Sequence, residues 1–493
     1  MITAATITDT GLEMQPDHSR VVTRLFVAGR EDVGPGDSRA TPVLLRVLEL
    51  EEHEVDAAMR DLDERFGSRH RDLHGTFREH AELVTARVDG AAENMSDARR
   101  LLLGATFTHE YAIEGAALCN PSGVLFPDAD SSGVASFVIS VRGVGEGHRS
   151  SIGFRTGTVT AAGTVTLDEP DPFPVIGSAQ SSLHHRSVVH ARLADLGDDH
   201  ENAAFVLDPM EERFDGAALV ERIDALSADA ATRRNTLDTI SNLHNIASST
   251  YRVEFPTTAS ISERVLWPQS PAEHHGMEDA RFVRFTHDDG TVTFYATYTA
   301  FDGINIAQHV LETNDFRSFE VSPMAGAAAQ GKGLALFPRK VHGRFVALSR
   351  SDRESNAIAF SDDMRCWQDS EQIQTPTRPW ELLQLGNCGS PIETEEGWLV
   401  LTHGVGAMRT YALGVLLLDL DEPQRVIASS DLPIITPRAG HRDGYVPNVV
   451  YSCGAFAHGD VLVLPYGVAD QSIAIATLSI TDLLASLRPS AAA

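Results

Sequence analysis

The chain has 493 residues, of which 42% are hydrophobic, and its 69 acidic and 40 basic residues give a formal net charge of −29. This apolar fraction is enough for a sizeable core, so the composition excludes a wholly disordered chain. The acidic balance argues against a nucleic-acid or anionic-membrane partner, because both reward a basic surface. Any anionic substrate would have to be held by a local cluster of cations.

The first part of the chain predicts one short strand followed by helices. The strand is VVTRLFVAG, within a polar lead-in of residues 1–35, and apolar residues recur every three or four positions from about Thr41 to Leu103. Ser96 and Asp97 are suited to cap the last of these helices. The N-terminus lacks a basic and apolar leader, and no apolar run reaches the roughly 18 residues of a membrane span, so we expect a cytoplasmic protein.

The most informative feature is a repeated hairpin, in which two apolar strands flank a turn that contains glycine. The five turn glycines are Gly133, Gly290, Gly343, Gly397 and Gly459, and each hairpin is followed by further predicted strand. The gap between the first two contains a second helical block, from about Pro209 to Ala247. A period of about 50 residues with four strands per unit is typical of propeller blades.

The repeat therefore predicts an all-β fold, a five-bladed β-propeller over residues 105–490. We expect residues 1–104 to form an N-terminal strand and helical extension. The helical block at about 209–247 would be an insertion between the first and second blades. Amphipathic helices appended to a propeller can cover its flank, close over the mouth of its channel or pair with a second subunit, and the sequence does not rank these roles. We expect a homo-oligomer in which one helical element helps to wall the site.

Equivalent strand ends of a propeller meet around one end of the central channel, so residues at equivalent offsets after each turn glycine should converge. The residues at these offsets are Arg142, Tyr298 with Thr299, Arg350, His403 and Tyr466. Arginine, histidine and hydroxyl groups in one place suit a polar, sugar-like ligand that can carry an anion. Strand-end arginine and histidine side chains that only bond loop carbonyls are the alternative.

A pair of carboxylates, Glu278 and Asp279, lies beside Arg281 at the entry to the second hairpin. Adjacent side chains on a strand point to opposite faces, so at most one of the two should face the channel. One carboxylate is therefore a candidate acid, although a solvated surface pair is the simpler interpretation of these residues alone.

Other patterns predict no metal site or disulfide framework. The cysteines Cys119, Cys366, Cys388 and Cys453 are far apart and are expected to be buried free thiols. The pairs His274–His275 and His184–His185 lack the spacing of metal ligands and are expected in solvent-facing loops.

Several segments together resemble glycoside hydrolase family 130, which contains β-mannoside phosphorylases and β-1,2-mannosidases. They are GMEDAR (276–281), GKGLALFPRKVHGRFVALSR (331–350), GSPIETEEGWLVLTHGV (389–405), LGVLLLDLDEPQRVI (413–427) and GYVPNVVYSCGAFAHGDVLVLPYGVADQSIAIA (444–476). The resemblance also reaches CNPSGVLFPD (119–128) and VRGVGEGHRSSIGFRTG (141–157). The N-terminal helices and the 209–247 block resemble no part of the minimal family domain.

The resemblance implies roles for particular residues. In the signature G-x-E-D-P-R the aspartate is the general acid, which protonates the glycosidic oxygen through a hydroxyl of the mannosyl ring, with inversion; Asp279 occupies that position and Ala280 replaces the proline. Lys332 lies where phosphorylases commonly show N-K-D, and Arg350 follows Ser349 where H-R is common. The predicted substrate-binding residues are Asn120, Arg142, Glu278, Tyr298, Asp443 and Tyr466. The predicted phosphate-binding residues are Arg281, Lys332, Arg350, His403 and Arg409.

Three functions remain open at this point. The first is an inverting phosphorylase that converts a β-1,2- or β-1,4-linked manno-oligosaccharide and inorganic phosphate to α-mannose 1-phosphate, without a cofactor or metal. The second is an inverting β-1,2-mannosidase, which needs another carboxylate to activate water; Glu110, Glu114 and Asp443 are available. The third is a propeller that binds sugar without turnover.

Overall fold

The computed structural model describes residues 6–26, 40–86, 95–129, 133–229 and 233–490. The chain divides into two compact units. The larger comprises residues 1–16, 116–170 and 176–493, and the smaller comprises residues 17–115 and 171–175. Residues 27–29 of the predicted first strand lie outside the described residues.

The smaller unit is mainly helical, as the periodicity predicts. Its helices are α1 (Ala40–Glu49), α2 (Glu52–Phe66), α3 (Leu73–Thr85) and α4 (Asp97–Thr106). The strands Val21–Leu25 and Thr108–Ala112 pair antiparallel. The predicted cap is confirmed, because the Ser96 side chain accepts a hydrogen bond from the Arg99 backbone N–H at the start of α4. Leu44, Val55, Phe77 and Leu103 belong to one buried core.

The larger unit contains five groups of four antiparallel strands in its described residues. The first group is Ala117–Ala129, Val134–Val144, Ser150–Thr160 and Val165–Leu167. The second is Gly276–Thr286, Val292–Phe301, Ile306–Thr313 and Ser318–Pro323. The third is Ala335–Leu336, Phe345–Ser349, Asn356–Ser361 and Ser370–Gln374.

The fourth and fifth groups each begin with a strand that is split in two. The fourth is Gln384–Asn387 with Ile392–Glu393, then Trp398–Val405, Tyr411–Leu418 and Val426–Ser429. The fifth is Val450–Tyr451 with Phe456–His458, then Val461–Val468, Ser472–Ser479 and, from the start of the chain, Ile7–Met14.

All five predicted hairpins are confirmed by these pairings. Four of the five turn glycines, at positions 133, 290, 343 and 459, have φ between +60° and +82°, a region that residues with a side chain rarely adopt. A Cβ at any of these four would meet no atom within 4 Å, so the turn conformation, and not lack of space, favours glycine.

Apolar side chains pack between neighbouring groups in a cyclic order. Aromatic pairs between groups are Phe154–Phe282 (first and second), Phe285–Phe345 (second and third), Phe337–Trp398 (third and fourth) and Phe137–Phe456 (first and fifth). Leu413 and Leu464 belong to one buried cluster between the fourth and fifth groups. Each group therefore packs against two others.

The fifth group differs from the expected pattern, because its last strand comes from the N-terminus. Residues 7–14, which the sequence analysis placed in a polar lead-in, pair with Ser472–Ser479 from Ile7 opposite Leu478 to Met14 opposite Ile473. The strand after Ser472–Ser479 is instead replaced by the short helix α9 (Ile480–Ala485). A pairing between residues more than 450 positions apart leaves no trace in a local repeat.

The second helical block is longer than the sequence predicts. It contains α5 (Arg186–Asp195), α6 (Glu201–Leu207), α7 (Gly216–Ala228) and α8 (Thr236–Ser248), so helix begins at Arg186 and not at about Pro209. Both α5 and α6 pack on the core of this block, through Val189 and Leu193 and through Val206 and Leu207. The Asp195 carboxylate also accepts from the Gly326 backbone N–H at 3.0 Å.

Most of the remaining short strands extend the larger sheets, whereas His184–His185 and Arg213–Phe214 pair with each other in a separate two-stranded sheet. Ser178–Ser181 pairs with Tyr251–Glu254, which pairs with Ser318–Pro323 of the second group. The others are Val175–Ile176, His184–His185, Arg213–Phe214, Arg264–Leu266 and Arg488–Pro489. None of the helices in the described part of the chain is long and apolar enough to span a membrane.

Candidate active site

The strand Gly276–Thr286 carries a β-bulge at the predicted acid. Glu278 pairs with Thr299 and Arg281 pairs with Thr297, so the pairing register shifts between them, and Asp279 has a φ of +56°. The bulge breaks the alternation of side chains along the strand. The prediction that at most one of the two carboxylates faces the channel is nevertheless confirmed, because Asp279 lines the pocket beside it and Glu278 does not.

Both carboxylates contact the same arginine. Arg142 donates through Nη2 to Oε1 of Glu278 at 2.7 Å and through Nη1 to Oδ1 of Asp279 at 3.1 Å. The Lys332 Nζ donates to the other oxygen of Glu278 at 2.8 Å. Glu278 thus holds two of the predicted cations on either side, and Asp279 keeps one oxygen, Oδ2, for another partner.

Asp279 is buried among positive charges. The Asn120 side-chain amide also donates to its Oδ1, and Arg281 Nη1 donates to its backbone carbonyl at 2.9 Å. Burial alone would raise the pKa of the carboxyl, but the charges of Arg142, Arg281 and Lys332 outweigh that effect and lower it to about 2. Asp279 is therefore a carboxylate at neutral pH.

A pocket of about 420 Å³ opens beside Asp279. Eight predicted site residues line it: Asn120, Arg142, Asp279, Arg281, Lys332, Arg350, His403 and Arg409. The prediction that Arg142, Arg350 and His403 converge at strand ends is confirmed. Glu278 does not line the pocket and acts through Arg142 and Lys332, which do.

Positive charge exceeds negative charge in this pocket. Six arginine or lysine side chains line it, against the carboxylates of Asp279 and Asp470. Arg350 is only 9% exposed. Within the described ranges its guanidinium has no carboxylate partner, and its Nε is buried without a hydrogen-bond acceptor. Leaving a buried cation unpaired is costly, so this arrangement favours an anionic ligand.

His403 is a buried neutral imidazole. Burial, followed by the charges of Arg350 and Arg281, holds its pKa well below the usual value. Its ring stacks with Tyr411 and meets the edge of Tyr451 at centroid distances of 6.1 and 4.8 Å. Its Nδ1 is buried and has no hydrogen-bond partner among the described residues.

Two predicted substrate-binding tyrosines lie elsewhere. Tyr298 is fully buried and donates its hydroxyl to Oε1 of Glu273. Tyr466 is 2% exposed and belongs to the core cluster between the fourth and fifth groups. Neither tyrosine lines the pocket, although Tyr466 lies seven residues after its turn glycine, as Arg350 does. Asp443 is exposed in a loop and does not line the pocket.

The other spare carboxylates are engaged in ion pairs within the smaller unit. Glu110 accepts from Arg69 Nε at 2.8 Å and from His70 Nε2 at 2.8 Å. Glu114 accepts from Arg20 Nε at 3.2 Å and from the Asp17 backbone N–H at 3.3 Å. Neither carboxylate lines the pocket.

Seven further residues that line the pocket were not predicted from the sequence, namely Ile306, Arg353, Gln384, Tyr411, Val449, Tyr451 and Asp470. Asp470 is the most informative, because burial and the neighbouring charge of Asp279 raise its pKa to about 6, against the opposing charges of Arg142 and Arg409. It lies in the turn between Val461–Val468 and Ser472–Ser479, and both Ala469 and Asp470 have positive φ. The turn position was a usable signal, since Arg409 lies in the corresponding turn of the fourth group.

A buried carboxylate facing arginine and lysine, in a pocket with excess positive charge, defines an enzyme site that can combine an acid with an anionic reactant. The profile of the family described as β-1,4-mannooligosaccharide phosphorylase, glycoside hydrolase family 130, matches residues 234–488. The match covers more than half of the chain, so the protein belongs to glycoside hydrolase family 130. The family predicted from the sequence motifs is confirmed.

Curated relatives align with slightly under half of the chain. A 1,2-β-oligomannan phosphorylase from Thermoanaerobacter sp. is 34% identical over 230 residues, which are 45% of this chain and 75% of that protein. A β-1,2-mannobiose phosphorylase from Listeria innocua is 33% identical over 45% of this chain and 63% of that protein. The solved Listeria innocua β-1,2-mannobiose phosphorylase, in complex with β-1,2-mannobiose, has a TM-score of 0.44 and 21% identity over 76% of this chain and 92% of that one.

Proposed function

We propose that the protein is an inverting glycoside phosphorylase that cleaves a β-mannoside with inorganic phosphate and releases α-mannose 1-phosphate. The observation that carries the proposal is the buried Arg350 guanidinium, which has no carboxylate partner in the described part of the chain and lies in a pocket where cations outnumber carboxylates. Phosphate would supply the missing negative charge. The names of the relatives and of the family profile support the mannoside as substrate.

Asp279 would act as the general acid. Phosphate attacks the anomeric carbon from the α face while the bond to the leaving oxygen breaks. The leaving oxygen takes a proton from a hydroxyl of the mannosyl ring, and that hydroxyl takes the proton of Asp279. The configuration inverts once, and Asp279 ends as a carboxylate that must be protonated again before the next cycle.

The low pKa of Asp279 implies that, in this scheme, phosphate binding changes the charge around the carboxyl. Arg142, Arg281 and Lys332 are the charges that lower that pKa. A phosphate dianion beside them would offset part of this positive charge and raise the pKa of the carboxyl. Phosphate would therefore both attack the sugar and allow the acid to be protonated.

The decisive experiment gives purified protein β-1,2- and β-1,4-mannobiose with and without inorganic phosphate. We expect mannose 1-phosphate only when phosphate is present. Free mannose released at the same rate without phosphate would refute the proposal. Substrate binding by both the wild type and Asp279→Asn, with no turnover by either, would instead indicate a sugar-binding protein.

Asp470 favours one alternative, an inverting β-1,2-mannosidase. A hydrolase needs a second carboxylate near the sugar to activate water, and Asp470 lines the same pocket with a pKa raised to about 6 by burial. The two functions differ in the response of Asp470→Asn. In a hydrolase this variant would lose hydrolysis of the mannoside, and added azide would restore turnover. In a phosphorylase azide would not restore the phosphate-dependent reaction.

The remaining assignments follow from this proposal. The five groups and their cyclic packing support a five-bladed propeller, with the helices α5–α8 inserted between its first and second blades. Inorganic phosphate would be a co-substrate, with no other cofactor. A homo-oligomer and a cytoplasmic location stay predictions.

A further inference from the structure

The side chain of Arg350 lies between the backbones of two glycines. A Cβ built on Gly386 would lie 2.1 Å from Nε and 2.5 Å from Cζ of Arg350, and a Cβ on Gly333 would lie 3.0 Å from its Cδ. Carbon atoms in proteins do not approach nonbonded atoms as closely as at Gly386. We call the space between Gly333 and Gly386 the glycine slot.

The slot is held in place on both sides. Gly386 pairs directly with His403 across the strands Gln384–Asn387 and Trp398–Val405. The next residue, Asn387, is fully buried and donates through Nδ2 to the Gly333 carbonyl at 2.8 Å. A side chain introduced at position 386 therefore cannot be relieved easily by movement of the walls.

The two glycines are needed for different reasons. Gly333 has a φ of +96°, so a side chain there is strained whatever the space around it. Gly386 lies in a regular strand and does not have a positive φ. A methyl group at 386 meets the Arg350 guanidinium, and no strained backbone conformation adds to the effect.

We propose that Gly386 is a positioning residue for anion binding: its missing side chain makes the room in which Arg350 holds its guanidinium at the pocket. This inference rests on the proposed function, in which Arg350 binds phosphate. Gly386 touches neither phosphate nor sugar in this scheme, and it acts only through Arg350.

The test is Gly386→Ala. Displacing a charged hydrogen-bond donor from an anion should raise the KM for phosphate by about tenfold or more. We expect kcat at saturating phosphate and the KM for the mannoside to change by less than about threefold. An unchanged KM for phosphate in a folded variant would overturn the proposal.

Gly153→Ala is the matched control. Gly153 also lies in a buried strand, but a Cβ there would be 3.6 Å from Val141 Cγ2 and 3.9 Å from Arg155 Nη1, which are ordinary contacts. This variant should keep the wild-type KM for phosphate. A rise equal to that of Gly386→Ala would mean that any alanine in a buried strand disturbs the site.

A double-mutant cycle with Arg350→Ala separates positioning from general damage. Once Arg350 is truncated, Gly386→Ala has nothing to displace and should not raise the KM for phosphate further. An additional tenfold rise would overturn the proposal. If Gly386→Ala alone does not fold, the double variant should fold, because it has no Arg350 side chain for the methyl group to meet. A double variant that also fails to fold would contradict the proposed role of Gly386.

Calorimetric titration of wild type with inorganic phosphate keeps this inference apart from the proposed function. Phosphate binding without phosphate-dependent turnover would refute the proposed phosphorylase activity. The role of Gly386 would then be tested by the affinities of the same variants for phosphate. If wild type does not bind phosphate at all, both proposals fail.

Discussion

The backbone of Asp279 adopts a φ of +56°, a conformation that costs a residue with a side chain about 1 kcal/mol or more. The neighbouring bulge turns Glu278 and Asp279 toward Arg142 together. Two adjacent carboxylates thereby take different tasks. Glu278 holds Arg142 and Lys332, while Asp279 faces the pocket.

Replacing Asp279 with asparagine should lower kcat/KM by roughly 10²–10⁴-fold, because the variant keeps the shape of the side chain and loses its proton. The measurement is initial rate with mannobiose and phosphate. Asp362→Asn serves as the matched control, since that carboxylate is 89% exposed. A loss of less than fivefold in Asp279→Asn would contradict the role of general acid.

Asp470 should make the stability of the protein depend on pH between about 4 and 6. Burial raises its pKa from an ordinary 3.8 to about 6, so the folded state binds the proton more tightly than the unfolded state. The contribution of Asp470 to the free energy of unfolding is fully present below about pH 4 and is lost as the pH rises through 6. This contribution totals on the order of 2–3 kcal/mol.

Melting temperatures of wild type and Asp470→Asn across this range test that prediction. The variant cannot titrate, so its stability relative to wild type should increase as the pH rises from 4 to 7. If the difference in melting temperature between wild type and Asp470→Asn is the same at every pH, Asp470 does not have a raised pKa.

The residue types in the pocket were easier to predict from the sequence than the directions in which side chains point. The repeat and the motifs predicted eight of the side chains that line the pocket, including Asp279 and Arg350. Tyr298 and Tyr466 were misplaced because a count from the turn glycine does not specify which side chains reach the channel. Arg350 and Tyr466 both lie seven residues after their turn glycine, and only Arg350 lines the pocket. Asp470 was missed because it lies in a turn and not on a strand.

Among the elements, the strand Ile7–Met14 has the largest effect on how the fold closes. It supplies the outer strand of the fifth group, and Met14 is buried in the core between the first and fifth groups. Its carbonyls and N–H groups pair with Ser472–Ser479 near the other end of the chain. The N- and C-terminal parts of the larger unit are therefore joined in one sheet.

Deleting residues 1–14 should destabilise the larger unit by roughly 2–4 kcal/mol, from the buried methionine and the lost strand pairing. Thermal unfolding monitored by circular dichroism measures the effect, with deletion of residues 1–5 as a control that leaves the strand whole. Equal melting temperatures for the two truncations would contradict the structural role of this strand.

For the whole molecule, the charge of −29 and an anion-binding pocket coexist because the positive charges are local. Arg142, Arg281, Lys332 and Arg350 come from four different stretches of chain and meet at one pocket. Long-range repulsion from the rest of the surface is screened beyond about 8 Å at physiological salt, whereas contacts inside the pocket are not. An acidic protein can therefore bind phosphate.

Inorganic phosphate should raise the melting temperature of the wild type. A ligand that binds only the folded state stabilises it by about 2.7 kcal/mol at a hundred times its Kd. Chloride at equal ionic strength is the control for screening. The shift should be smaller in Arg350→Ala, and an equal shift in both proteins would place the phosphate elsewhere.

The sequence by itself determined the strand repeat, the helical segments and the chemistry of the site, because these depend on local periodicity, on turn glycines and on short motifs. Tertiary structure alone decided that Ile7–Met14 completes the fifth group and that Glu278 and Asp279 both contact Arg142. It also decided that Gly386 makes room for Arg350. Each of these depends on the partner that a backbone segment meets across the fold, and that partner lies too far along the chain for a local pattern to specify.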